Sequence, residues 1–220
     1  MSTEINKHPS TTQSISKSAV GIGLFAVLSA AVIAITQVTT VDRIEANIRE
    51  AESKALYEIF PASIDEQLYD HRVALDVGQL NVDPGTTGYQ AIQDNQVAGV
   101  ILPVTSSMGY SGDIDLIVGI HADGTLAGVR VISHKETPGL GDKIDRSKSD
   151  WIDSFKGARR NGRDDSNWAV KKDGGQFDQF TGATITPRAV VQATGVAIDY
   201  FESHRNLLLS PANREKSYAE

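Results

Sequence analysis

Hydrophobic positions follow three rhythms along this chain. From 18 to 41, 24 residues pass without a charge, and 19–35 holds only Ala, Val, Gly, Ile, Leu, Phe and one Ser. A helix needs roughly 20 such residues to cross a hydrocarbon core of about 30 Å. The run is apolar on every face, unlike a buried core helix, and no A-x-A site closes it as in a signal peptide. The pattern predicts a single retained transmembrane anchor over 18–41, preceded by a tail over 1–17. Beyond it, Val41, Ile44, Ile48, Ala51, Ala55 and Ile59 recur every three or four residues, an amphipathic helix that Pro61 ends. Arg43, Glu45, Arg49, Glu50 and Glu52 form its solvated face.

After a weak stretch in which Asp83, Pro84 and Gly85 mark a turn, the rhythm shortens to that of strands. Segments 89–92 and 97–104 flank Asp94-Asn95 as a hairpin, with Pro103 suggesting an edge strand. Segments 114–120 and 126–133 flank Asp123-Gly124, a stronger hairpin signal. Near the C-terminus Ala189, Val190, Ala193, Ala197, Ile198 and Phe201 give a helical stripe, with Thr186 as its expected N-cap and Pro187 as its first residue. Successive hairpins need one apolar face covered, and the later helices can supply the cover. The predicted class is α+β: an N-terminal transmembrane helix, then a domain over 42–220 with an antiparallel sheet and packed helices.

Composition narrows the chemistry. The 220 residues suffice for one domain plus an appendage, and 40% hydrophobic with 22% charged residues excludes a disordered or collagen-like chain. The absence of cysteine removes disulfides, thiolate zinc sites, cysteine-ligated iron-sulfur clusters and thiol nucleophiles. Redox chemistry therefore requires a non-sulfur cofactor. A net charge of -7 without any Lys/Arg cluster argues against a nucleic-acid partner. Lys7 and Lys17 precede the anchor against Glu4 alone, whereas 19 basic and 27 acidic residues follow position 41. The basic flank predicts a cytoplasmic tail and an exported domain.

His8, His71, His121, His134 and His204 are scattered singly, so no metal site is expected, and His134 reads as a loop-positioning residue. No G-x-G-x-x-G follows a strand, and neither a P-loop nor a nucleophile elbow is visible. No catalytic residue is assigned. Trp151, Phe155 and Trp168 read as core.

Two segments carry candidate chemistry. After the last strand comes Glu136-Thr137-Pro138-Gly139-Leu140-Gly141, whose glycines and proline let backbone approach a flat or phosphorylated ligand. Most Gly-Pro loops, however, are plain turns. The second is Phe177-Asp178-Gln179-Phe180-Thr181-Gly182-Ala183-Thr184. It places the Thr184 hydroxyl ahead of the unpaired amides and positive dipole end of a helix, where a phosphate is stabilised. A capped helix after a turn needs no ligand, and that reading stays open on these residues alone.

Taken together, the anchor, the hairpins, the 136–144 segment, Ser149-Asp150-Trp151, the run 168–175 and the 177–186 segment resemble the G subunit of Rnf-type electron-transport complexes, called Rsx in some bacteria. The C subunit of the sodium-pumping NADH:quinone oxidoreductase is a more distant relative with the same FMN-binding domain. The resemblance implies one covalent FMN, held by a phosphoester to the last threonine of an Asp-x-x-[Ser/Thr]-Gly-Ala-Thr motif. Here that motif is Asp178, Thr181, Gly182, Ala183 and Thr184, with Thr184 as acceptor. Glu136, Thr137, Gly139, Leu140 and Gly141 join it as cofactor-binding candidates.

It further implies attachment by a separate flavin transferase using FAD and Mg²⁺, and partnership with the other subunits of an ion-translocating oxidoreductase. The implied place is the bacterial inner membrane, single-pass, with a periplasmic C-terminal domain. Such a subunit is not a complete enzyme by itself. The alternatives are an anchored binding or assembly module without flavin, and a free-standing periplasmic flavoenzyme.

Overall fold

The computed structural model describes residues 11–61 and 63–210, and for 11–18, 38 and 41–52 the backbone alone. Most of the expected tail over 1–17 lies outside the described residues. So do the side chains of Val41, Ile44, Ile48, Ala51 and the charged face from Arg43 to Glu52. The chain divides between Ala51 and Glu52 into two units.

The first unit consists of most of α1 (Thr11–Ile59). Within it Ala19–Gln37 is long and apolar enough to cross a membrane, and none of that span is buried. Ile22, Leu24, Phe25 and Ile33 stand exposed, as a helix requires when its solvent is lipid. The hydroxyls of Thr36, Thr39 and Thr40 donate to the carbonyls of Val32, Ile35 and Thr36 at 2.8 to 2.9 Å. Each of these hydroxyls is thereby satisfied within its own helix.

The second unit is built on five strands: β1 (Arg72–Ala74), β2 (Thr87–Gln93), β3 (Gln96–Ser106), β4 (Ile114–His121) and β5 (Leu126–His134). They form one antiparallel meander in the order β1-β2-β3-β4-β5. The turn between β2 and β3 has positive φ at both Asp94 and Asn95, 50° and 63°, which matches the right-handed twist of the strands it joins. The class is α+β, as the hairpin signals predict. β1 is absent from those signals because three residues cannot display alternation. Its pairs, such as Val73 with Gly88, come from β2.

Pro103 does not mark an edge: β3 lies between β2 and β4, and Pro103 pairs with Ile117. The amide of Thr105 points away from β4, toward Leu80 O at 3.0 Å. By the two-residue period, the Pro103 nitrogen points the same way. There the last β2 pair, Ile101 with Tyr89, has already passed, so no ladder bond is lost.

Both sheet faces are apolar and both are covered. On one, Val100, Leu102, Leu116, Val118 and Val129 pack beneath α2 (Ile185–Leu208) and its Val190, Ile198 and Phe201. On the other, Ala91, Ile101, Ile117 and Ala127 meet Leu56, Ile59 and Phe60 from the end of α1. This double cover explains why β4 is buried along nearly its whole length. Gly119 is part of the fit, since a Cβ there would overlap Ile59 Cγ2. Phe60 is fully buried and meets His121 edge to face at 5.2 Å. Phe60→Ala should destabilise the 52–220 unit by roughly 3–5 kcal/mol, read as a shift of the urea midpoint of the detergent-solubilised chain at unchanged slope.

Candidate functional site

The site gathers at the start of α2. The helix opens at Ile185 with Thr184 as N-cap, two residues earlier than the sequence pattern suggests. Thr186 is therefore not the cap. Its hydroxyl is buried and turned to the Glu136 carboxylate, a partner fifty residues away that no local pattern reveals. Pro187 falls on the third helical position, where an amide has no intrahelical acceptor and its absence costs nothing.

Thr184 is half-buried and makes no side-chain capping bond, and its hydroxyl has no partner among the described residues. Ahead of it the chain reverses through Phe180-Thr181-Gly182-Ala183, closed by the Ala183 amide on Phe180 O at 3.1 Å. The third residue of this turn needs positive φ, and Gly182 supplies +82°. Thr181 and Gly182 are exposed and Ala183 is half-buried. A hydroxyl with no competing bond, preceded by two small residues and set at the positive end of a 24-residue helix, fits an esterified phosphate.

The 136–141 loop meets this turn. Thr137, half-buried, accepts the amides of Leu140 and Gly141 at its carbonyl, both at 3.1 Å, coiling the loop on itself. Gly139 is exposed with φ of +77°. A Cβ on Gly182 would lie 3.9 Å from Leu140 Cδ2, so the two segments are within van der Waals range. Leu140 and Ile185 are 44% and 46% exposed, apolar side chains forming a rim at the surface of the two segments that meet at this turn.

Gly141 is buried against Glu136 and Thr186. Glu136 is 4% exposed, so it lies beneath the rim. His134 accepts the Glu136 amide at Nδ1, 3.1 Å away, the loop-positioning part expected of it.

Asp178 is held elsewhere. Its carboxylate, 69% exposed, pairs with Lys171 Nζ at 2.6 Å. Its carbonyl accepts Trp151 Nε1–H at 2.7 Å, and the Trp151 ring meets Phe180 at 5.2 Å. Phe155, Trp168 and Phe177 continue inward as core, with Phe155 stacked on Phe177 at 4.4 Å. Aromatic packing thus fixes the segment that leads into the turn.

Arg188 stands four residues after Thr184, on the same helix face. Asp173 grips its guanidinium with two bonds of 2.7 and 2.8 Å, and that bonding holds the Asp173 carboxyl below its ordinary value of 3.8. The same bond raises the Arg188 guanidinium.

Sequence reasoning misses the loop between β3 and β4. Its Ser111 amide donates to Glu136 at 2.9 Å, Gly109 walls the same carboxylate, and Met108 and Tyr110 are exposed on it.

Residues 109–199 match the FMN-binding domain family, and residues 1–59 match the RnfG N-terminal region. The first match starts at Gly109, the wall of the Glu136 pocket, and takes in both loops and the start of α2. The chain is 45% identical over 203 residues to the G subunit of the ion-translocating oxidoreductase complex of Pseudomonas aeruginosa, covering 91% of this chain and 95% of that protein. The corresponding G subunit of Shewanella loihica is 44% identical over 209 residues, covering 94% and 99%. That of Pseudoalteromonas atlantica is 41% identical over 207 residues, covering 93% and 96%. With its N-terminal helix, its FMN-binding domain and nearly its full length shared with these proteins, the chain belongs to the family of G subunits of ion-translocating oxidoreductase complexes.

Proposed function

We propose that the chain is the membrane-anchored electron-transfer subunit of such a complex, carrying one FMN esterified through its phosphate to Thr184. As a member of the G-subunit family, it has the other subunits of the complex as partners. In this reading 1–17 is a cytoplasmic tail, 18–41 the anchor in the bacterial inner membrane and 42–220 a periplasmic FMN-binding domain. The N-terminal helix with its exposed apolar span fits the anchor, and the charge asymmetry around it supports the orientation.

The observation that carries the reading is the Thr184 hydroxyl: unbonded, half-exposed, and set at the N-terminus of α2 in an Asp-x-x-Thr-Gly-Ala-Thr sequence. Attachment would form a bond from Thr184 Oγ to the flavin-side phosphorus of FAD, with loss of the hydroxyl proton to solvent. The pyrophosphate bond breaks and AMP leaves, on a flavin transferase with Mg²⁺. Once attached, the flavin supplies one- and two-electron transfer. The chain's own contribution is electrostatic and steric. The first-turn amides of α2 set positive partial charge at Thr184. Gly182 and Ala183 leave the hydroxyl accessible, and Leu140 and Ile185 offer apolar contact at its side.

Protein isolated from its native host should show an intact mass raised by one FMN less one water, mapped to the peptide containing Thr184. It should also give a flavin-fluorescent band on a denaturing gel. Thr184→Val should abolish both while the protein still folds. An unlabelled wild-type protein in cells that make the transferase would leave only the anchored module without flavin.

The Asp173–Arg188 pair gives a pH signature. Because the folded value of Asp173 is lowered, its stabilising contribution is present above 3.8 and is lost as pH falls through the folded value. In Arg188→Met the Asp173 carboxyl should return toward 3.8 in an NMR titration, and that acid-side loss should disappear.

A further inference from the structure

Glu136 is buried without a counter-charge: no Lys, Arg or His nitrogen among the described residues lies within ion-pair distance of its carboxylate. The other buried acid, Asp65, has His71 at 2.6 Å. A buried, unpaired carboxylate is costly unless fixed donors surround it. Glu136 has two, one from each side. Oε1 takes the Ser111 amide at 2.9 Å, and Oε2 takes the Thr186 hydroxyl. The pocket is cut to its shape, since a Cβ on Gly109 would stand 3.0 Å from Oε1. One on Gly141 would stand 2.8 Å from both Oε2 and Thr186 Oγ1.

Three chain segments far apart in sequence therefore close on one carboxylate. The segment that stands to gain most is α2. Its N-cap residue makes no side-chain bond, so the first turn lacks the usual restraint against fraying. The Glu136 carboxylate replaces that restraint from outside, two residues into the helix, and puts negative charge at the positive end of the dipole.

We infer that Glu136 is a positioning residue for flavin attachment: through the Thr186 hydroxyl it locks the first turn of α2 and so holds the Thr184 Oγ in the orientation that phosphoryl transfer requires. This rests on the proposed phosphoester at Thr184. Glu136 acts through Thr186, buried beneath the rim, rather than by touching the flavin. The chemistry is unchanged by it, with the Thr184 Oγ–phosphorus bond formed and the FAD pyrophosphate bond broken.

The test follows covalent flavin fluorescence on the full-length chain in detergent, incubated with purified flavin transferase, FAD and Mg²⁺, with initial rates taken at matched folded fraction. Thr186→Val removes the bond at constant volume and should slow labelling roughly 10- to 100-fold, whereas Thr186→Ser should restore it to within a few-fold of wild type. Glu136→Ala should slow labelling like Thr186→Val. Glu136→Gln, which still offers an acceptor to Ser111 and a donor to Thr186, should stay within a few-fold. The KM for FAD, a property of the transferase, should not move.

Should Glu136→Ala fail to fold, Glu136→Asp keeps the charge but shortens the arm by one methylene, and it should lose rate in the same way. Wild-type rates in Thr186→Val and in the Glu136 variants would overturn the inference while leaving the phosphoester intact. A wild-type chain that an active transferase never labels would instead remove the phosphoester, and the positioning role with it.

Discussion

The antiparallel meander has two apolar faces, and α2 and the end of the N-terminal helix answer to the need to cover both. A sheet with one face in water shows clean alternation; this one is buried on both sides along β3 and β4. The cover on one side comes from α2, and on the other from the last turns of the N-terminal helix. Leu56, Ile59 and Phe60 are thus core residues of the domain and not linker. Arg130 on β5 reinforces that seam, reaching Glu58 at 2.8 Å and Asp153 at 3.2 Å. Its side chain is largely buried, so the pairing is less screened than an ordinary surface bridge, which contributes little.

α2 is held at both ends by buried side chains from the sheet side. At its C-terminus, the fully buried Gln90 of β2 donates Nε2–H to Leu208 O at 2.6 Å and to Ser210 O at 3.2 Å. The Leu208 carbonyl is among those a helix end leaves without partners. At its N-terminus Glu136 takes the Thr186 hydroxyl. Between the ends, Trp168 Nε1 donates to Val191 O at 3.0 Å and Arg160 to Gly195 O at 2.9 Å. The helix that bears the candidate attachment point is therefore clamped along its length, while the Thr184 hydroxyl has no partner among the described residues.

Local patterns carried the elements and missed the joins. Turn chemistry located both long hairpins, because Asp94-Asn95 and Asp123-Gly124 encode their geometry in two residues each. Helical spacing found α2, but placed its start on Thr186, since the residue type suits a cap and the competing partner lies in a loop fifty positions earlier. Pro103 misled for a similar reason: whether a missing donor matters depends on where a neighbouring strand stops. The meeting of the 136–141 loop with the Thr184 turn was legible through family resemblance alone. The part played by Ser111 and Gly109 was not legible at all, for neither residue type signals a carboxylate to be accommodated.

The surroundings of Thr184 also bear on why a covalent bond would serve here. Non-covalent sites for molecules of this size bury most of the ligand in an enclosed cleft. A cleft of about 640 Å³ does exist, but it lies on the α1 side of the sheet, lined by Leu56, Tyr89, Pro103 and Asp115, away from the α2 N-terminus. Gly139, Leu140, Gly182 and Ile185, on the two segments that meet at the Thr184 turn, are exposed and form a surface rim. On such a surface affinity alone would hold a flavin poorly. An ester bond removes the need for enclosure, so the ring can remain open to a partner subunit. Openness and retention, which compete in an ordinary binding pocket, would then be set by different atoms: the rim would provide the first and the Thr184 oxygen the second.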